Sequence, residues 1–277
     1  MSKVRVIGKL LGIKGLFLFA LRRIGIYYSH ELKSLFKIID WSIKSGFDLG
    51  FEKGLLRMDW ISNNVIYPVY LRPYSSDPQV FKQIIIDREL EPIVHFFHEK
   101  VIKPLQMIDG GGNIGLATLF IYTHFPGLKC HIIEPNAWNV EVLKRNLPGE
   151  FIHLDPKALW SKEGWVYPLN ESSEWGFSVG SLKTSTGSKA IPAITLSGLL
   201  EQYKESRIDY LKLDIEGAEE ELFYMDLLLP DLLKNVRCIS VEPHSVEFES
   251  FLQGYLEALG FKVIKAGELV IAFNMKN

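Results

Sequence analysis

The sequence predicts an α/β protein: a doubly wound, Rossmann-like, seven-stranded sheet whose last strand runs antiparallel, preceded by a helical N-terminal extension. Three observations carry this prediction. From residue 104 onward, short apolar runs alternate with segments of helical period, the pattern of a parallel sheet with crossover helices. A glycine-rich turn from Asp109 to Gly115 joins the first such run to the first helical segment. Residues 261–265 and 269–273 are apolar runs separated by Ala266-Gly267-Glu268, which reads as a closing hairpin.

Taken in order, residues 106–109 form a strand and 115–123 a helix. Residues 130–134 form the second strand. Residues 136–147 place Val140, Leu143 and Leu147 on one helical face, and 151–154 make a third strand. The stretch 161–188, rich in Ser, Gly and Trp, breaks the rhythm and reads as a hairpin or mobile loop. Trp175 in this stretch is a candidate substrate lid, whereas Trp160 and Trp165 are expected to pack the sheet edge. Thr195 caps a helix running through Leu199, Leu200 and Tyr203. Residues 208–214 are a strand, 218–229 a helix stopped by Pro230, 236–242 a strand, and 248–259 a helix ended by Gly260.

Upstream of the alternation, residues 4–45 read as helical, 47–72 as short β segments and 77–91 as helical again. The domain reading is a basic helical extension over 1–45 and one catalytic domain over 46–277, with its cofactor core from about residue 104.

The chain has 277 residues, 47% hydrophobic and 23% charged, values that exclude a disordered or collagen-like chain. The net charge of −2 hides an asymmetry: residues 1–45 carry nine Lys/Arg against Glu31 and Asp40, while the remaining 232 residues carry −9. An acidic catalytic part argues against nucleic acid as a partner. The extension reads first as a packing appendage, and its basic charge also suits peripheral membrane contact or self-association. Its most apolar run, residues 15–21, spans seven positions between Lys14 and Arg22, too short for a spanning helix of about 20 residues. Cys130 and Cys238 lie 108 positions apart without metal-ligand spacing. They read as buried reduced thiols of a cytoplasmic protein.

The chemistry centres on Asp109-Gly110-Gly111-Gly112-Asn113-Ile114-Gly115, directly after a strand and opening a helix. Glycines there let the backbone approach a ligand, and the helix start offers unpaired N–H groups. Gly110, Gly112 and Gly115 also spell the dinucleotide fingerprint, with Glu134 following at the second strand end. An NAD-linked oxidoreductase is therefore one reading. S-adenosylmethionine fits the acids better. Asp109 suits an ammonium rather than a pyrophosphate, Glu134 can take both ribose hydroxyls, and Asp155 after the third strand is placed for an adenine amino group.

These residues resemble the FkbM-type methyltransferases, a branch of the class I S-adenosylmethionine-dependent enzymes. The run 109–115 resembles D-x-G-A-N-x-G with Gly112 where alanine is usual, and Glu134-Pro135-Asn136 resembles the family's E-P-N. Lys157-Ala158-Leu159-Trp160-Ser161 stands where an A-L-S run is expected. Residues 208–219, IDYLKLDIEGAE, look like the family's I-D-L-L-K-I-D-V-E-G-A-E. Residues 72–89, with Ser76-Asp77, Phe81 and Gln83-Ile84, are similar to a segment preceding the core, although Leu90 replaces an aromatic. The resemblance spans residues 67–273 and does not reach the first 45.

It implies methyl transfer to a hydroxyl of a glycan or secondary metabolite. Cofactor-binding candidates are Asp109, Gly110, Gly111, Asn113, Gly115, Glu134, Pro135, Asp155 and Ala158. Asp214, Glu216, Glu242 and His244, at the ends of the fourth and fifth strands, are the catalytic candidates. An alcohol must lose a proton during methylation, and a positioned carboxylate or imidazole can take it. Each has a plainer role available: a loop hydrogen bond for Asp214, a helix cap for Glu216, an ordinary surface position for His244. Lys212 shares the Asp214 side of its strand and is expected to pair with a site carboxylate. Glu219, Glu220 and Glu221 are expected to form a solvated helix face. The four catalytic candidates also suit a divalent cation, which no spacing demands. A catalytically silent Rossmann partner subunit is the reading outside enzymology.

Overall fold

The computed structural model describes residues 4, 7–8, 12, 15–16, 19–20, 30–147, 149–169, 178–180, 189–203 and 207–275. Trp175 and most of the 161–188 stretch, like much of 1–29, lie outside the described residues. The chain divides into two compact units, 1–88 and 89–277.

In the first unit, helix α1 (His30–Ser45) is followed by strands β1 (Leu49–Glu52), β2 (Leu55–Ser62) and β3 (Val65–Leu71). The strands form a three-stranded antiparallel sheet, with Leu56 opposite Leu71 and Met58 opposite Val69. Leu56, Met58 and Trp60 are buried at alternate positions, as a half-buried strand requires. Helix α1 buries Leu35, Phe36, Ile38 and Ile39 completely and sets Trp41 against Phe47 and Phe81. It behaves as a packing element. Helix α2 (Asp77–Phe81) continues into a π-helical turn at Lys82–Ile86. The sequence reading divides the chain at 45/46; the structure divides it at 88/89, because β1–β3 pair only with one another among the described residues.

The second unit holds the predicted sheet. It comprises α3 (Glu91–Glu99), β4 (Gln106–Gly110), α4 (Leu116–His124), β5 (Lys129–Ile133), α5 (Ala137–Asn146), β6 (Ile152–Asp155), β7 (Ala158–Leu159), β8 (Gly164–Pro168), β9 (Val179–Gly180), β10 (Ile191–Ile194) and α6 (Leu196–Glu201). These are followed by β11 (Ile208–Leu213), α7 (Glu219–Met225), α8 (Leu229–Leu233), β12 (Val236–Val241), α9 (Val246–Ala258), β13 (Phe261–Ala266) and β14 (Leu269–Asn274). The strand order is β13-β14-β12-β11-β4-β5-β6, and β14 runs antiparallel to both neighbours. All six residues of β11 are buried, as expected of a central strand covered on both faces. Its two charged residues are compensated: Asp209 meets Arg237 at 3.0 Å, and Lys212 is described below. The chain winds outward from β4 in both directions, so the carboxyl ends of β4 and β11 flank the switch point where such sheets bind ligands.

Of the two readings of 161–188, the described residues bear out the hairpin: β8 and β9 pair antiparallel with Tyr167 opposite Gly180, and they join β7 and β10 in a second, four-stranded sheet. These strands are two to five residues long and too short to show a period. Pro230 does not stop a helix at 229; α7 ends at Met225, and Pro230 lies in the first turn of α8, where its missing N–H costs nothing. Trp165 does not pack the sheet edge, being 65% exposed, whereas Trp160 packs against Ala158 and Val166.

Candidate active site

The turn after β4 is built on glycines that contribute space. Gly111 has a φ of +77°, and a Cβ there would overlap the carbonyl oxygen of Asp214 and lie 2.7 Å from its carbonyl carbon. The first turn of the glycine loop thus packs directly on the end of β11, which no larger residue permits. At Gly112 a Cβ would run into Ile132. Ile132 fills the space that a side chain at position 112 would need. Gly110 and Gly115 serve packing too, with Leu159 and Leu147 at 2.6 and 2.8 Å from an added Cβ.

A cavity opens beside this turn, lined by Gly111, Asn113, Ile133, Glu134, Pro135, Asn139, Ala158, Leu159, Val179, Asp214, Ile215 and Glu216. Five of the nine cofactor candidates, Gly111, Asn113, Glu134, Pro135 and Ala158, are on its wall. Ile133, Asn139, Leu159, Val179 and Ile215 were not singled out in the sequence. Leu159 and Ile215 stand inside the matched 157–161 and 208–219 runs, the signal that could have found them.

Glu134 accepts hydrogen bonds from the backbone N–H of Asn113 at 2.7 Å, the N–H of Asn136 at 2.8 Å and the Asn139 amide at 3.3 Å. Burial nevertheless raises its pKa to about 7. Asn113, held at a φ of +47°, presents a buried side-chain oxygen without a hydrogen-bond partner among the described residues. A carboxylate and an orphaned amide oxygen on one wall call for a ligand rich in donors, such as ammonium and ribose hydroxyl groups. S-adenosylmethionine meets that requirement.

Asp109 and Asp155 do not reach the cavity wall. Asp109 is completely buried, accepting from the Thr118 hydroxyl at 2.7 Å and pairing with Lys212 Nζ at 3.2 Å. Lys212 also lies 3.1 Å from the Gly111 carbonyl oxygen and 3.4 Å from Asp214 Oδ2. Its carboxylate neighbours outweigh burial and push its pKa up. The expected pairing of Lys212 is present, and it ties the glycine turn to the end of β11. Asp155 is engaged by His131 at 3.1 Å and Lys157 at 3.5 Å instead of facing a ligand.

The four catalytic candidates come together. Glu216 is on the cavity wall with a φ of +59°. Its Oε2 lies 3.2 Å from His244 Nε2. His244 Nδ1 lies 3.0 Å from the Glu242 carbonyl oxygen. The hydrogen bond to Glu216 raises the His244 pKa to about 9, so the ring is cationic at neutral pH. Burial, followed by the Asp214 charge, raises Glu242 to about 8. Asp214, Glu242 and His244 bring ligand atoms within 4.8 Å of one another.

Glu219 departs from expectation. It is fully buried and accepts from the backbone N–H of Ile215 and, at 2.8 Å, of Gly217, clamping the turn that carries Glu216. Burial raises its pKa to about 7.

No curated protein matches the chain in sequence. Among solved structures, magnesium protoporphyrin IX methyltransferase from Synechocystis PCC 6803 with bound SAM aligns at 13% identity and a TM-score of 0.40, covering 70% of this chain and 82% of the other. A methyltransferase from Geobacter sulfurreducens aligns at 12% identity and a TM-score of 0.39, covering 71% and 88%. A human methyltransferase 10 domain containing protein aligns at 13% and 0.41, covering 68% and 82%. The family model of the methyltransferase FkbM domain matches residues 109–263, more than half of the chain and the whole of the constellation above: the chain belongs to the FkbM methyltransferase family and is an S-adenosylmethionine-dependent methyltransferase.

Proposed function

We propose that this protein methylates a hydroxyl group of a glycan or secondary metabolite, with Gly111, Asn113, Glu134, Pro135 and Ala158 holding the cofactor. The observation that carries the reading is the Glu216–His244 pair at 3.2 Å, whose carboxylate faces the cavity. The cofactor supplies an electrophilic methyl on a sulfonium that is its own leaving group. The chain's residues have three tasks left: to align the acceptor, to exclude water and to take a proton from the hydroxyl.

Of the carboxylates on the cavity wall, Glu134 is assigned to the cofactor, and Asp214 and Glu216 are the candidate bases. His244, cationic at neutral pH, holds Glu216 in place and is not itself the base. Glu242, protonated below about pH 8, is placed to donate a hydrogen bond. A divalent cation held by Asp214, Glu242 and His244 is a second reading, supported by their clustered ligand atoms; it would acidify the acceptor hydroxyl.

The test is transfer of radiolabelled methyl from S-adenosylmethionine into fractionated glycans and small metabolites, with Glu216→Gln alongside. Expected is label in a hydroxylated acceptor, lost by at least roughly a hundredfold in the variant, with S-adenosylhomocysteine affinity retained. Label appearing only in amines or carbon acceptors would overturn the reading. Unchanged turnover in EDTA would remove the cation.

A further inference from the structure

A second cluster of chemistry-bearing side chains lies outside the cavity, where β5 pairs with β6. The parallel register sets His131 beside His153, and the two-residue period of a strand puts Asp155 on the same face. The two imidazole rings meet edge to face with centroids 4.3 Å apart. His131 Nε2 lies 3.1 Å from Asp155 Oδ2, and His153 Nε2 lies 3.8 Å from Asp155 Oδ1. One ligand atom from each residue falls within 4.8 Å of the others. Behind them, His131 Nδ1 is 2.9 Å from the Tyr203 hydroxyl. None of these four residues lines the cofactor cavity.

We propose that His131, His153 and Asp155, backed by Tyr203, form a binding site for a divalent cation of the zinc class, separate from the methyl-transfer site. Two imidazoles and a carboxylate are a zinc ligand set, with the fourth position left to water. Around a tetrahedral zinc with bonds of about 2.0–2.2 Å, neighbouring donors stand roughly 3.3–3.5 Å apart. The His131–Asp155 pair is already close to that spacing. His153, 67% exposed, needs only a side-chain rotation to close the triangle.

Ligating histidines characteristically use their second ring nitrogen on an outer partner that fixes tautomer and orientation, and Tyr203 is that partner. On binding, neutral His131 carries its proton on Nδ1 and donates it to the Tyr203 oxygen, leaving the Nε2 lone pair for the metal. The Lys157 ammonium, 3.5 Å from Asp155 Oδ1 and 36% exposed, occupies the cation's neighbourhood and swings out to solvent. Such an ion would tie β6, the edge strand of the main sheet, to β5 and to the end of α6.

The experiment titrates zinc chloride into untagged, metal-stripped full-length protein by calorimetry, alongside His153→Ala, Tyr203→Phe and His244→Ala. Because His153 is exposed, its alanine variant keeps the wild-type melting temperature without metal. Expected are one equivalent of zinc with Kd below about 10 μM and a melting temperature raised by roughly 5 °C at a hundredfold excess over Kd. Saturable binding should be lost in His153→Ala, weakened roughly tenfold in Tyr203→Phe and retained in His244→Ala. Absence of saturable binding to the wild type, or equal binding by His153→Ala, would overturn the proposal. So would loss in His244→Ala with retention in His153→Ala, which would place the ion at the cavity.

Discussion

Replacing Gly111 by alanine is the most direct test of how the glycine turn and β11 together form the site. Two costs are read from the structure. The backbone sits at a φ of +77°, a region that costs an L-residue about 1–2 kcal/mol. The new Cβ would also stand 2.7 Å from the Asp214 carbonyl carbon, where carbon atoms normally approach to about 3.5–4.0 Å. Relieving that contact and the overlap with the Asp214 carbonyl oxygen moves the turn or the end of β11 by more than about 1 Å, an overpacking cost of about 1–3 kcal/mol. The sum is about 2–5 kcal/mol, or a melting temperature lower by roughly 5–15 °C. Gly217 is the internal control, because its φ is +94° yet a Cβ would meet nothing within 4 Å. Gly217→Ala therefore bears only the backbone cost, about 1–2 kcal/mol. Thermal melting of both variants, with calorimetric titration of S-adenosylhomocysteine, separates the contributions. Gly111→Ala should melt well below Gly217→Ala and bind the cofactor product at least tenfold more weakly, roughly 1.4 kcal/mol. Equal melting temperatures within about 2 °C, with unchanged affinity, would refute the packing argument.

Lys212→Met leaves the buried Asp109 carboxylate without its cation and should destabilise the fold by about 3–5 kcal/mol in urea titrations; Lys212→Met with Asp109→Asn should recover much of that loss. His244, whose folded pKa is raised to about 9 from 6.5 by Glu216, contributes stability that is complete below about pH 6.5 and disappears as pH rises through 9. The stability difference between wild type and His244→Ala, measured by denaturation from pH 6 to 10, should shrink across that window. Glu242→Gln mimics the protonated carboxyl and should leave turnover at pH 7 within about threefold, while removing any inflection near pH 8. Glu219→Ala should release the 215–217 turn and reduce turnover with little change in cofactor affinity, separated by kcat against S-adenosylhomocysteine Kd.

Much of the site was legible in the chain because its residues follow strand ends directly. Asp109, Glu134, Asp155 and Asp214 were found by position, since the carboxyl end of each strand is marked by the end of an apolar run. Position does not give direction. Asp109 and Asp155 follow the same rule as Glu134, yet one is spent on Lys212 and the other on His131 and Lys157. Glu219 was misjudged for a related reason: three consecutive glutamates look solvated, and only the fold of the 215–217 turn brings one of them under two backbone N–H groups. The 161–188 stretch was legible as a hairpin from its turn residues, but its pairing with β7 and β10 was not, because these strands are too short to carry a period.

The amino-acid sequence by itself determined the order of the strands of the main sheet, the glycine turn and the family, because periodicity and close backbone approach are local properties written in residue type. Tertiary structure decided which acids face the cavity, why Gly111 admits no side chain, and that His244 joins Glu216 across 28 residues. These depend on distances between segments remote in the chain, and one buried cation or one turn at positive φ is enough to reassign a carboxylate from ligand to scaffold.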